Sequence, residues 1–453
     1  MRELRFLSLT GMLGYGYALE SLRRGLARGM HFLGADAGST DPGPYYLGSG
    51  QGFVKPRQVR RDLEHALCAA RAHRIPLILG SAGGSGARPH LDSLLAILGE
   101  IARGHDLHFR LAVIPADIAP DVVIEALRQG RIHPCGPVPD LTEEQVRSCS
   151  NLVAQMGTEP FLRALDAGAE VIVAGRACDT AIFAAPAIRA GFDAGLALHL
   201  AKIAECGALC ARPAGANDGL LGTLRADHFL VEPADPERAC TPDSVAAHSL
   251  YEQPDPDCFY EPEGKVDLAA CRFEAVDART VRVSGSRLVP ARRHTVKIEG
   301  AAPGGYRAVT LAGIRDPLVV AHLAEIERGV RAATAAGLAG EIEPSAYSLR
   351  FLRYGLDGVM GSVEPAPPVP PREVGLVIEA VAPTQEMADT LVSLARSTAL
   401  HQSFPGRKTT AGNLAFPFSP SDIAAGAVYE FAVYHLMEVD DPAALFPVEI
   451  REV

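Results

Sequence analysis

"IPLILGSAGGSGARPHLDSLLAILGEIARG", Ile75 to Gly104, decides the fold. "IPLILG" is a short, unbroken apolar run, the signature of a strand buried on both faces. From Pro89 the pattern changes. Leu91, Leu94, Leu95, Leu98 and Ile101 recur at three- and four-residue steps, one face of a helix that ends at Gly104. Between them lies "GSAGGSG". Strand, glycine-rich loop and amphipathic helix form half of a parallel βαβ unit.

The same unit recurs outward from this stretch. "ELRFLSLTG" reads as a strand and "YALESLRRGLARG" as a helix; "MHFLGADAG" is a strand and "PRQVRRDLEHALCAARAH" a helix. "LHFRLAVIPAD" and "APDVVIEALRQG" follow, then the helix "TEPFLRALDAG", the strand "AEVIVAG" and the helix "DTAIFAAPAIRAG". Short apolar strands alternating with amphipathic helices predict an α/β fold with a largely parallel sheet covered by helices on both faces. We expect this domain over residues 1–240. Residues 241–305 read as an extension with antiparallel strands ("ARTVRVSGSRLV", "RHTVKIEG"). Residues 306–453 read as a smaller α+β domain, ferredoxin-like in its βαβ unit, with the stiff proline-rich connector "PAPPVPPRE" inside it. "SPSD", Ser419 to Asp422, has the pattern of a helix N-cap.

The 453 residues are 48% hydrophobic and 21% charged, as in ordinary globular proteins. A net charge of −11 argues against a nucleic-acid groove, but not against a small anionic substrate held by backbone amides. No apolar run reaches membrane-spanning length and the N-terminus lacks a signal-peptide pattern. Nine cysteines, an odd number, fit reduced thiols in the cytoplasm. Cys206 and Cys210 in "CGALC" lack a second pair to complete a zinc site, and two small residues on one helix face is the plainer reading.

Right-handed crossovers bring the loops that follow parallel strands to one sheet edge, where α/β proteins bind ligands. Four such loops are rich in glycine and polar residues: "TGMLGYGY", "GADAGSTDPGPYYLGSG", "GSAGGSGARPHLD" and "AGRACDTA". The second begins at Gly34 and has a composition that suits neither helix nor strand. It supplies Asp36, Ser39, Thr40, Asp41 and Tyr45, although Asp41-Pro42-Gly43 is also plain turn chemistry. The third supplies Ser81, Gly83, Gly84 and Ser85, whose backbone amides can cradle an anion; close strand-on-helix packing needs the same glycines. The fourth supplies Arg176, a clamp for a carboxylate, and Asp179, a proton carrier or helix cap. Cys178 beside them reads as a packing residue. His199, Lys202, Glu205 and Cys206 form a polar stripe that reads as a solvated helix face, and His248, Tyr251 and Glu252 close the set of candidates.

At these residues the chain resembles the acyclic terpene utilisation (AtuA-like) family. The resemblance rests on "GADAGSTDPGPYYLG", "PLILGSAGGSGARPHLD", "GAEVIVAGRACDTAIFAAP", "AECGA" and "SLYEQPDPDCFYEPE", with "RYGLDGVMG" and "NLAFPFSPSDI" further on. Near residues 211–225 "ARPAGANDG" departs from the family's glycine- and threonine-rich loop. The resemblance implies a role in degrading branched acyclic isoprenoids or other organic acids. We therefore expect a lyase or hydratase acting on a small carboxylic acid or its CoA thioester. Asp41, Asp179 and His248 would move protons; Asp36, Ser39, Thr40, Tyr45, Ser81, Gly83, Gly84, Ser85, Arg176, Tyr251 and Glu252 would bind substrate. No cofactor can be named and a metal stays open. The alternative is a non-catalytic binding subunit working with a small partner protein. A homo-oligomer is expected in either case.

Overall fold

The computed structural model describes residues 3–365 and 371–453, so the proline-rich connector lies largely outside the described residues. The chain forms two compact units, Met1–Ala302 with Phe431–Val453, and Pro303–Glu430.

The first unit is built on a ten-stranded sheet. Its centre is parallel, in the order Leu4–Ser8, Phe32–Asp36, Leu77–Gly80, Val171–Ala174, Arg110–Ile114. Antiparallel strands extend one flank, in the order Leu220–Leu224, Phe229–Pro233, Val281–Ser284, Arg272–Ala275, and Glu449–Glu452 closes the other. The expected parallel sheet is thus its centre only. The reason is connection length: Arg225–His228 is far too short for a crossover, so the next strand must fold back.

Alternation along the parallel strands splits the core into two faces. Leu33, Leu77, Leu79, Val113 and Val173 pack with residues of the helices Leu19–Ala27, Pro56–His73 and Arg88–Gly104. On the opposite face Phe6 stacks on Phe32 and Phe183, with ring centroids 5.0 and 5.2 Å apart. Phe183 belongs to the helix Ala181–Arg189 and lies so close that a Cβ on Gly34 would come within 2.5 Å of it. Helices therefore cover both faces. The helix Ala194–Ala204 is buried from Gly195 onward, His199 and Lys202 included. The polar stripe is not a solvated face. An almost wholly apolar helix has no side to turn to water, so its few polar groups are buried with it.

Two local expectations also change. The stretch from Gly34 begins inside the strand Phe32–Asp36, and its middle folds as the short helix Pro44–Ser49. Pro44 suits a first helical turn, and Gly50, at φ +71°, ends it in a left-handed conformation. Ser419–Asp422 opens no helix. Asp422 begins the strand Asp422–Val439, where Val428, Tyr429, Phe431, Val433 and Tyr434 favour extended backbone and Val433, His435 and Met437 alternate as its buried positions.

In the unit Pro303–Glu430, residues 306–314 pair antiparallel with Val374–Ala382, which pairs antiparallel with Ser348–Tyr354. The helices Leu323–Gly337 and Gln385–His401 share one core with these strands through Ile326, Val330, Leu391 and Val392. Among the described residues no helix is long and apolar enough to cross a membrane.

Candidate functional site

The parallel strands end at Ser8, Asp36, Gly80 and Ala174, and the loops beyond them meet at one edge. Ser81 Oγ donates a hydrogen bond to the Ala177 carbonyl (3.2 Å) and accepts one from the Ala177 amide (3.3 Å), tying the third loop to the fourth. Gly86 carries the tie further. Its φ is +67°, and a Cβ there would lie 2.0 Å from the Arg176 nitrogen.

A cavity of about 250 Å³ opens among these loops. Six of the expected residues line it: Asp36, Ser39, Asp41, Asp179, Tyr251 and Glu252. Glu205 and Cys206 line it too. Among the described residues that line it, five thus carry carboxyl groups and none is an arginine or lysine.

Asp36 is 4% exposed. Its Oδ2 accepts the Gly38 amide at 2.8 Å, while its Oδ1 is buried with no hydrogen-bond partner among the described residues. Gly80 makes room for this carboxyl: a Cβ there would stand 3.0 Å from Asp36 Oδ1 and 2.8 Å from Ile182. Burial, then the neighbouring Asp179 charge, pushes the Asp36 pKa well above the usual carboxylate range; the Gly38 amide and Arg176 oppose this. Asp179 is also raised, chiefly by burial, with Arg176 and Lys202 working against it. Its Oδ1 accepts no hydrogen bond from the described residues, although Arg176 Nη1 is 3.6 Å away. Glu205 is held by Lys202 at 2.5 Å, and burial still raises its pKa.

Behind this wall stands a second layer. Glu299, fully buried, takes Arg176 Nε at 2.9 Å, Lys297 Nζ at 2.7 Å and the Thr40 hydroxyl at 2.8 Å. Burial alone would raise its pKa, but the two cations outweigh burial and bring it down to about 2. Burial likewise works against the Arg176 charge, and Glu299 and Asp179 more than restore it. Arg176 Nη1 also donates to Ser81 Oγ and the Ala177 carbonyl, at 3.3 and 3.2 Å. Arg176, Thr40 and Ser81 therefore do not line the cavity; they brace its loops.

The remaining expected residues lie elsewhere. Gly83 lines a neighbouring cavity, Gly84 packs against Phe53, and Ser85 is buried with its hydroxyl unpartnered. Tyr45 meets Tyr46 edge to face and lines neither cavity. His248 stacks on Tyr251 with centroids 5.2 Å apart, outside the cavity lining. Burial, then the Lys202 charge, lowers its pKa to about 4, so the ring is neutral. Asp41 is exposed and accepts the Ser39 hydroxyl at 2.6 Å, a turn-like bond at the rim. Cys210 Sγ lies 3.9 Å from Cys240 Sγ. Among the described residues no group of three or more His, Cys, Asp or Glu is arranged to hold a metal ion.

Sequence reasoning passed over Glu299 and Lys297, and set Glu205 aside. Each left a signal. Lys297 and Glu299 alternate on one face of the strand His294–Ile314. Lys202 and Glu205 sit three apart on a helix too apolar to be solvated.

No curated protein and no solved structure matches the chain. The sequence model of the acyclic terpene utilisation family protein AtuA matches residues 49–213 and 228–426. The gap falls on the "ANDG" stretch where the loop departs from the family pattern. Ser81, Arg176, Asp179, Glu205 and Glu299 all lie within the match, and the chain belongs to the acyclic terpene utilisation family AtuA.

Proposed function

We propose that this chain is a catabolic enzyme of branched-isoprenoid or organic-acid breakdown, a lyase of the hydro-lyase type. Its substrate is a small carboxylic acid or the acyl end of the CoA thioester. Family membership supports the catabolic role. The chemistry rests on one observation: Asp36 and Asp179 line one cavity, both with raised pKa and each with a buried oxygen that accepts no hydrogen bond.

Two carboxyl groups that resist ionising together hold a proton between them and divide the work of acid and base. Neutral Asp36 can donate to a hydroxyl or carbonyl oxygen. Ionised Asp179, steadied by Arg176, can accept a proton. In dehydration of a 3-hydroxy acid, Asp179 takes the proton from C2 and that electron pair forms the C2–C3 double bond. The C3–O bond breaks as Asp36 protonates the departing hydroxyl, and water leaves. A proton passing from Asp179 to Asp36 resets the pair. Arg176, gripped by Glu299, is a positioning residue here, and the proton held on Asp36 lessens the repulsion that an anionic substrate meets in the cavity.

The test is solvent-deuterium incorporation at C2 across a panel of 3-hydroxy carboxylates and their CoA thioesters. Asp36→Asn and Asp179→Asn should each cut exchange by about 10²-fold or more while the fold is kept. Undiminished exchange in both variants would overturn the reading.

A second reading, a binding subunit for a small partner protein, draws on the exposed Val359, Met360 and Val363 of the unit Pro303–Glu430. That unit's β-α-β-β-α-β element order also supports a ferredoxin-like assignment.

A further inference from the structure

A second cavity, of about 310 Å³, shares a wall with the acid cavity. Consecutive residues divide between the two. Met12, Gly38 and Phe53 line the acid cavity; Leu13, Ala37 and Val54 line the other. The chemistry reverses across this wall. Among the described residues none that lines the second cavity is acidic. Its sides are apolar, from Leu13, Val54, Val59, Leu94 and Ile97.

Polar groups and one cation complete the lining. Lys55 is exposed there and makes no ion pair among the described residues. The 18-residue helix Pro56–His73 starts beside it with no side chain capping its first turn, so the positive end of the helix dipole is open. His90, 1% exposed, forms part of the lining, and its Nε2 meets the Gln51 carbonyl at 3.0 Å.

We propose that this cavity binds an amphipathic monoanion of the medium-chain carboxylate class, as a ligand separate from whatever the acid cavity takes. The apolar sides exclude a bare inorganic anion as the best fit, because its hydration would be lost against them without compensation. Lys55, the open helix end and the lack of carboxylates exclude a cation. The volume is at the lower end for small-molecule sites, about 300 Å³ upward, which suits a chain of modest length.

Octanoate is the probe, titrated calorimetrically into the full chain, with 1-octanol as its neutral counterpart. Wild type should bind one octanoate per chain. Ser93→Trp fills the cavity from an exposed lining position and should abolish binding of both probes. Lys55→Glu should weaken octanoate about tenfold or more, the scale of a charge-assisted contact, and leave octanol nearly unchanged. Asp36→Asn should leave octanoate binding as in wild type. Thermal melts show that each variant is folded. Failure of octanoate to saturate, wild-type binding by Ser93→Trp, or equal weakening of both probes by Lys55→Glu would overturn the proposal. Loss of octanoate binding in Asp36→Asn would move the ligand to the acid cavity, sinking this proposal while sparing the acid–base reading. Loss of exchange activity without loss of octanoate binding is the expected pattern.

Discussion

Arg176 and Glu299 are 123 positions apart in sequence and form the most deeply buried ion pair of the site. Breaking a buried pair from one side leaves an uncompensated charge, at a cost of about 3–5 kcal/mol. Glu299→Gln should therefore lower the urea midpoint and the thermal midpoint markedly. Arg176→Lys keeps the charge but loses the planar fork that spans Glu299, Ser81 and Ala177, so it too should destabilise. A melt unchanged in both variants would remove the bracing role. Asp36 and Asp41 separate in the opposite way. Asp41 is exposed and bonded to its own turn, where Asn serves nearly as well. Asp41→Asn should cost less than about tenfold in exchange activity, against about 10²-fold or more for Asp36→Asn. The sequence marks both aspartates as site candidates but cannot rank them. Ranking depends on burial and on Gly80, which comes from the next strand.

The glycine-rich loop after Leu77–Gly80 shows how far a single element can be read. Its strand and helix are legible from apolar spacing, and the structure places the helix at Arg88–Gly104. The glycines admit two readings, an anion cradle or close packing, and the structure divides them. Gly83 lines a cavity, while Gly86 lies on the backbone of Gly175 and Arg176. Only the packing partner decides which applies, and that partner is some 90 residues downstream. Gly86→Ala should destabilise far beyond the ~1 kcal/mol that a left-handed residue costs by itself. Gly130→Ala is the matched control: its φ of +68° is nearly the same, but a Cβ there meets nothing within 4 Å. If chemical denaturation finds the two variants equally destabilised, the close approach at Gly86 is not what fixes the loop. Helix Ala194–Ala204 makes the complementary point. Its spacing of polar residues suggests a wet face, yet its composition overrides the spacing, because the element has no polar side large enough to face water.

Across the whole molecule, buried titratable groups tilt stability in opposite directions at the two ends of the pH scale. Burial lowers His199 to about 3 and, with Lys202, lowers His248 to about 4. In the unfolded chain both would protonate near 6.5. Protons then favour the unfolded state below that value, so stability falls as pH drops from about 6.5 toward 4, and for His248 the loss is on the order of 3 kcal/mol. Glu299, held down near 2, adds a further loss as pH falls from its unfolded value of about 4. The raised carboxyls act with the reverse sign. Asp36 binds its proton more tightly when folded, so the unfolded chain releases it first, and stability falls as pH rises above about 4 until the folded group ionises. Asn cannot ionise and carries no such penalty. The difference in thermal midpoint, Asp36→Asn minus wild type, should therefore grow steadily more positive as pH is raised from 4 toward 8. Substrate affinity should move with the same group, since an ionised Asp36 repels an anionic ligand: KM for an active 3-hydroxy acid should climb over the range where the melting difference levels off. A melting difference that stays flat with pH would mean that Asp36 is ionised in the folded protein. The cavity would then hold a cluster of fixed negative charges in place of a proton-sharing pair, and a cationic ligand would become the better fit.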